Sequence, residues 1–490
     1  MNVWFAVLND SLRAKGILSN PALAGLVPRQ HYADDLSEFV GQLRSFAEAT
    51  GVRERRIALF VDGTPKACSD KKGVTVDALF RDALSGAGFS VDMIVLSERL
   101  GISPTEFHAS HTYVEKVREI LRTSTYDFYL VLGSGSITDV VKHSLFLEGI
   151  GAPFLSVPTA LTVTAFTSAF SIIDWHGAKR TRISRNISAT FWIESILECA
   201  PPRMSRAGYG DLLARFLAYG DWYLGTCLHV MDRYDECALD LMEPFADGIK
   251  GGAGTFQNFP LPEETLRCIS ASLAMAGIAM SVSGETTPLS GFEHVISHGL
   301  DFVRYHSGRE LVLHGEQVAL ACLTSAQTVD WLLGHETIDS RGWIDDPEGD
   351  GLRALNDLID AAPIPSHPGE IEQARQGFIK DYTDKARRWK EELRRGSKDS
   401  FIGNWPEIKR RLEQITSRSA EIARLVASAG LPLLPGETTP PTSTEEYGWA
   451  VRFSPFVRSR MNMADLVFWM GKSLAQFAHH AADSRDKDSL

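Results

Sequence analysis

Three separated motifs hold the residues best suited to chemistry: Asp211 in GYGDLLAR, His294 in SGFEHVISH and His314 in VLHGEQVA. A carboxylate and two imidazoles suit zinc or a similar first-row divalent ion, and three protein ligands leave a coordination position for water or a substrate oxygen. An open position of that kind points to an enzyme. His294 and His298 stand four residues apart, which puts them on one face of a helix, and His314 starts or precedes the next helix. His298 reads as a ligand or as a proton relay beside the cation, while Glu293 and Glu316 either orient the imidazoles or face solvent. Plainer readings stand beside these. A helical histidine is often a satisfied core or surface residue, and Asp211 behind Gly208-Tyr209-Gly210 has the look of an N-cap.

A second constellation lies upstream. The apolar run YDFYLVLG leads into Gly133-Ser134-Gly135-Ser136, with Asp139 and Lys142 behind it, giving the order strand, turn, helix. Backbone N–H groups at such a turn can converge on a pyrophosphate, the helix dipole adds favourable potential, and the two glycines permit close approach. The spacing is not GxGxxG, so an ordinary strand-to-helix turn is the alternative. Lys142, one turn into a helix expected from Thr138, is placed to reach a phosphate or the nicotinamide ribose. Asp62, closing the strand RRIALFVDG, is placed to accept hydrogen bonds from the adenosine ribose, favouring NAD over NADP by repelling a 2′-phosphate; a simple turn role is equally open. Thr159 and Thr162 in VPTALTVTA complete the candidate cofactor contacts. Metal plus dinucleotide implies carbonyl reduction.

The elements that must position these groups follow from periodicity. A helix over 35 to 50 stops at Gly51; then come RRIALFVDG, a helix around 75 to 86, FSVDMIVLS, a helix around 112 to 123, YDFYLVLG, the helix from Thr138 and APFLSVPT. Continuous apolar strands alternating with helices specify a parallel sheet with crossover helices, so residues 1–190 read as an α/β dinucleotide-binding domain. From about 195 the segments 205 to 230, 265 to 283, 292 to 304 and 314 to 333 carry helical periodicity, and residues 191–490 read as an all-α metal-binding and substrate domain. The Gly- and Pro-rich stretches 335 to 370 and 434 to 448 read as surface excursions, and 379 to 397 as a solvated helix face.

A length of 490 residues exceeds one ordinary core, and 44% apolar with 23% charged residues is the balance of a soluble globular protein. A formal charge of −12 with no basic stripe argues against nucleic acid or an anionic membrane as partner. The six cysteines, Cys68, Cys199, Cys227, Cys237, Cys268 and Cys322, form no CxxC pair, which fits a reducing cytoplasm. The N-terminus lacks the regions of a signal peptide, and the longest apolar stretches are expected to fall short of a membrane span. A cytoplasmic protein with no membrane insertion and a small-molecule substrate is the expectation; a homo-oligomer is left open.

With these motifs the chain resembles the iron-containing alcohol dehydrogenase and dehydroquinate synthase superfamily, and within it the sn-glycerol-1-phosphate dehydrogenases. The resemblance runs from about 55 to 475 and rests on VLGSGSITDVVK, PFLSVPTA, GYGDLLAR, SGFEHVISH, HGEQVA and the late FSPFVRSRMNMADLVFWMG. It implies a dehydroquinate synthase-like fold and NAD or NADP bound in the cleft. It also implies one divalent metal, zinc or alternatively nickel or iron, on Asp211, His294 and His314, and His298 in proton handling. The implied reaction is reversible reduction of dihydroxyacetone phosphate, or a related ketose phosphate, to sn-glycerol 1-phosphate. One departure stands out: Thr164 occupies the place of the family's acidic substrate-contacting residue. Lys179, Arg180 and Arg182 are candidates for the substrate phosphate, with a solvated basic loop as the alternative. Two other readings share the fold: a cyclase that uses NAD catalytically, disfavoured because that family's first ligand is Glu, and a non-catalytic nucleotide-binding homologue.

Overall fold

The computed structural model describes residues 2–51, 55–67, 73–365 and 369–479. Eight strands are present among them: β1 Arg29–Ala33, β2 Arg56–Val61, β3 Ser90–Val95, β4 Phe128–Gly133, β5 Phe154–Pro158, β6 Phe170–Trp175, β7 Ala178–Ile183 and β8 Ala189–Ile193. Six of them form one sheet in the order β1-β8-β5-β4-β2-β3, every pairing parallel, and β6 pairs with β7 apart from it. The parallel α/β sheet expected from sequence is therefore present. Alternation along each strand explains why it is covered on both faces. Ile57, Leu59 and Val61 of β2 join one apolar cluster with Phe39, Leu43, Phe80 and Leu84, while Ala58 and Phe60 join another with Val114, Val117, Val140 and Val141.

Two strands of the six-stranded sheet were not anticipated, nor was the pair β6–β7. β1 reads Arg-Gln-His-Tyr-Ala and lies at the sheet edge, where half-exposed polar side chains are tolerated and no apolar run is needed. β8 is a five-residue, fully buried apolar run, too short for periodicity to separate strand from helix. The helix expected from Thr138 begins earlier, at Gly135, and runs to Leu147.

By internal packing the chain divides into two compact units that interleave along the sequence. The first comprises residues 1–174, 180–209 and 240–285; the second comprises 175–179, 210–239 and 286–490. Segments 191–209 and 240–285, which helical periodicity grouped with the C-terminal half, thus pack within the α/β unit. Among them is the helix Glu263–Ser283, long and apolar enough to cross a membrane, which corrects the expectation that no stretch reaches that length. Its residues are nearly all buried: Trp4 donates to Glu264 at 2.6 Å and Thr167 donates to the Ala274 carbonyl at 2.8 Å, so the apolar surface serves the core. No disulfide joins the cysteines of the described residues, and Cys68 lies outside them.

The second unit is helical. The helices Phe292–His306 and His314–Leu333 pack side by side, with Thr444–Phe453 against the first and Ser419–Ser428 against the second. Residues 335 to 370 contain the helix Pro347–Asp360 with Leu355 and Ile359 fully buried, so this stretch is more than a surface excursion. Nearly all of the charged segment 379 to 397 falls in the helix Glu370–Arg395, whose other face buries Phe378, Tyr382, Ala386 and Trp389. Trp389 stacks on Trp469 at 5.2 Å between ring centroids, which ties this helix to the C-terminal part of the unit.

Candidate metal and dinucleotide sites

Asp211 stands in the last turn of the helix Pro202–Leu212, not at a helix start, which corrects the N-cap alternative. The two glycines of GYGD resemble a helix break, but Gly210 has a packing reason. A Cβ there would lie 2.2 Å from the carbonyl oxygen of Gly315, the residue after His314, so only glycine lets the two backbones meet. That contact delivers the Asp211 carboxylate beside His314. Asp221, which sequence reasoning missed, fixes the start of the other histidine helix: its buried carboxylate accepts the N–H of Phe292 at 2.7 Å and of Met463 at 2.5 Å. Burial and the neighbouring Glu293 push that carboxyl up to about 8.

Asp211 Oδ1 lies 3.3 Å from His294 Nε2 and 3.7 Å from His314 Nε2, and one ligand atom from each of the three residues falls within 4.8 Å of the others. Asp211 and His294 are buried and His314 is half-buried. Asp211 Oδ1 makes no hydrogen bond despite its burial, which a divalent cation would remedy. His294 Nδ1 lies 3.0 Å from Glu293 Oε1, and His314 Nδ1 lies 3.0 Å from Ser297 Oγ. Both rings thus use Nδ1 outward and turn Nε2 to the carboxylate, the arrangement of metal-bound imidazoles. The donor set fits a first-row divalent ion.

His298 has the opposite polarity. Arg458 Nη2 lies 2.7 Å from its Nδ1, and a guanidinium only donates, so Nδ1 is an acceptor and the ring hydrogen sits on Nε2. Burial and then the Arg458 charge hold this imidazole well below its ordinary range, and it is neutral at neutral pH. Glu316 accepts the Thr439 N–H at 3.3 Å. Ser297, Asp301, Gln317 and Arg458 were also missed. Helical spacing would have found the first two, since 294, 297, 298 and 301 fall at i, i+3, i+4 and i+7.

The two histidines of the cluster differ in charge. Burial opposes a proton on His294, but the carboxylates of Asp211 and Glu293 beside the ring outweigh it and lift it to about 9; burial lowers His314 to about 4. A cation must displace the His294 proton. Binding at pH 7.5 is therefore expected to release close to one proton, and affinity to rise about tenfold per pH unit towards pH 9. Calorimetry in buffers of different ionisation enthalpy measures that proton directly; zero release at pH 7.5 would contradict the assignment.

In the α/β unit the structure separates the cofactor candidates. The turn Gly133–Ser136 enters the helix Gly135–Leu147 without a side-chain cap on its first N–H groups, and Ser134 and Ser136 are half-buried. The glycines have a packing reason too: a Cβ on Gly133 would lie 2.6 Å from Ile137, and one on Gly135 would lie 2.3 Å from Val163. Thr159 donates its N–H to the Gly133 carbonyl at 3.2 Å, and the buried Thr162 hydroxyl has no partner. Lys142 does not fit the role expected of it. Its ammonium is fully buried, lies 3.0 Å from Asp139 Oδ1 and donates to the carbonyls of Ala165 and Ser168 at 3.0 Å, while Asp139 Oδ2 accepts the Ile172 N–H. These two hydrogen bonds and the ion pair with Asp139 fasten the segment 165–172 to the helix. Asp62 Oδ1 accepts from the Thr64 N–H and from Lys66 Nζ, both at 2.8 Å, a turn geometry that also sets a cation beside the carboxylate.

The α/β unit thus holds a parallel six-stranded sheet, and the helical unit an Asp-His-His cluster. The iron-containing alcohol dehydrogenase profile matches residues 64–201. The structure of an iron-containing alcohol dehydrogenase from Corynebacterium glutamicum is similar with a TM-score of 0.53, covering 94% of this chain and 96% of that one at 12% identity, a likeness of fold alone. The NAD(P)+ glycerol-1-phosphate dehydrogenase of Thermococcus sibiricus is 32% identical over 236 residues, 48% of this chain and 65% of that protein, just under two thirds of its length. That of Pyrococcus furiosus is 30% identical over 258 residues, 52% of this chain and 72% of the relative. The chain belongs to the glycerol-1-phosphate dehydrogenase family of the iron-containing alcohol dehydrogenases.

Proposed function

We propose that this protein is a metal-dependent, NAD(P)-linked oxidoreductase that interconverts a ketone phosphate, dihydroxyacetone phosphate or a related ketose phosphate, with a secondary alcohol such as sn-glycerol 1-phosphate. The observation that carries the reading is the buried Asp211 oxygen without a hydrogen bond, faced by the Nε2 atoms of His294 and His314, in a chain of this family. Zinc is the first choice of ion for a donor set of one oxygen and two imidazole nitrogens, with nickel or iron as alternatives. When bound, the cation supplies Lewis-acid polarisation of a carbonyl oxygen and the nicotinamide supplies hydride.

The chain's own residues do the rest. Asp211, His294 and His314 hold the cation, and Glu293 and Ser297 keep the two rings turned to it. His298 offers a hydrogen bond from Nε2 to the oxygen that gains charge. With Arg458 on its other nitrogen it cannot take up a second proton there, so it orients and stabilises, and water carries the proton. The uncapped turn Gly133–Ser136, with Thr159 and Thr162, is the proposed pyrophosphate contact. Lys66 beside Asp62 offsets the carboxylate charge that would repel a 2′-phosphate, which supports use of NADP as well as NAD.

The test is absorbance at 340 nm with NADH or NADPH, dihydroxyacetone phosphate and other phosphorylated and free ketones, with zinc, nickel or iron added to the metal-stripped protein. Stoichiometric, metal-dependent loss of absorbance is expected with a phosphorylated ketone. Turnover that leaves NAD unconsumed would instead make the protein a cyclase.

A further inference from the structure

The two ligand histidines are oriented by different means. His294 faces a carboxylate, Glu293, which can only accept while it is ionised, so the ring hydrogen on Nδ1 is assured. His314 faces a serine hydroxyl, which either donates or accepts. If Ser297 donated to Nδ1, the ring hydrogen of a neutral His314 would move to Nε2, pointing at the cation's place and blocking ligation. Something beyond Ser297 must decide.

That decision comes from two more buried residues. Gln317 Nε2 donates to Asp301 Oδ1 at 3.0 Å, and since an ionised carboxylate accepts only, the amide cannot be the other way round. Gln317 therefore presents Oε1 to Ser297, which donates to it at 2.6 Å. Its hydrogen is spent, so Ser297 Oγ meets His314 Nδ1 with a lone pair, and the imidazole must carry its hydrogen there. Ser297 and Gln317 are fully buried and Asp301 is 5% exposed, so water does not scramble the order. Lys179 Nζ lies 4.0 Å from Asp301 Oδ2.

We infer that Asp301, Gln317 and Ser297 form a one-way hydrogen-bond chain that makes His314 a metal ligand through Nε2, with Gln317 and Asp301 acting as positioning residues that touch neither the ion nor His314. The inference rests on the metal reading proposed above. Its distinctive consequence lies at Gln317. Gln317→Leu keeps the volume but frees the Ser297 hydroxyl to turn and donate to His314, so an uncharged change one residue removed from the ligand should weaken the site. Ser297→Ala leaves the Nδ1 hydrogen without its acceptor. Asp301→Asn puts an amide that can also donate where only an acceptor stood, so the Gln317 amide is free to turn round and the order is no longer fixed.

The experiment is Zn2+ affinity, measured on the full chain by competition with a chromogenic chelator, together with the visible spectrum of the Co2+-loaded protein. The thermal midpoint of the metal-free form is recorded alongside. Gln317→Leu and Ser297→Ala are each expected to bind Zn2+ about 10–100-fold more weakly with an altered Co2+ spectrum, and Asp301→Asn to weaken binding in the same direction by a smaller factor. Should Ser297→Ala fail to fold, Gln317→Leu carries the test alone. Wild-type protein that takes up Zn2+ while Gln317→Leu binds equally well, with an unchanged Co2+ spectrum, overturns the chain's role and leaves the metal site standing. Wild-type protein that takes up no Zn2+ overturns the metal reading itself.

Discussion

Asp211→Asn is expected to leave the protein folded and able to bind NAD(P)H, to abolish stoichiometric metal binding, and to lower kcat on the order of a thousandfold, equivalent to roughly 4 kcal/mol of lost transition-state stabilisation. Asparagine keeps the size and shape, so the helix Pro202–Leu212 and the contact at Gly210 need not move. What changes is the donor. Oδ1, now buried with no hydrogen bond and 3.3 and 3.7 Å from two imidazole nitrogens, loses its negative charge, and an amide is a poor ligand for a first-row cation among nitrogens. His294 also loses one of the two carboxylates that raise it, so its proton leaves more readily and cannot be blamed for the failure to bind. The dinucleotide candidates Gly133–Ser136, Thr159 and Thr162 lie in the other compact unit, which is why nucleotide affinity is expected to hold. Elemental analysis with nucleotide binding and turnover decides: a variant that keeps one equivalent of metal and a tenth or more of its activity refutes the assignment. His314→Ala should behave alike, with nucleotide affinity largely intact.

How much of this site was readable beforehand follows from what each residue's role depends on. Metal ligands are few in kind, and Asp211, His294 and His314 fall in short motifs, so a converging set could be named without coordinates. Asp211's local setting could not. Two glycines before an aspartate look like a helix start, and only the close approach of the Gly315 backbone explains why a helix runs through them. Lys142 shows the opposite difficulty: a lysine one turn behind a glycine-rich turn suggests a phosphate, yet its ammonium is consumed by Asp139 and two carbonyls from a segment more than twenty residues away. No local pattern encodes that distance.

The fold divides along the same line. Strands β2, β4 and β5 are buried on both faces and announce themselves as apolar runs, whereas the edge strand β1 needs no such run and leaves no signal. The helix Pro347–Asp360 was obscured by the Pro, Gly and Asp residues around its start; its buried positions Gly351, Leu355 and Ile359 are the four-residue stripe that marks one helical face. Interleaving of the two compact units is beyond sequence periodicity altogether, because 240–285 is helical wherever it packs.

Lys385→Met is expected to destabilise the protein by about 3–5 kcal/mol, the largest effect of any single change outside the metal cluster. Lys385 sits on the buried face of the charged helix Glu370–Arg395, and its side chain and that of Asp465 are both wholly buried, 2.8 Å apart. Burial pulls the ammonium down from its ordinary range and pushes Asp465 up to about 6, so each group stays charged at neutral pH chiefly because of the other. Methionine replaces the stem but not the charge, and leaves a carboxylate buried with no counter-ion. The same substitution removes the donor to the Pro455 carbonyl at 2.7 Å, in the segment that carries Arg458 to His298. Urea unfolding of the metal-free protein measures the loss. Adding Asp465→Asn, which keeps an acceptor for the Asn462 N–H at the start of its helix, should recover most of it, since the unpaired charge is then gone. A single-variant loss below about 1 kcal/mol would mean that water or another cation already screens Asp465, and that the pair does not hold the helix to the unit.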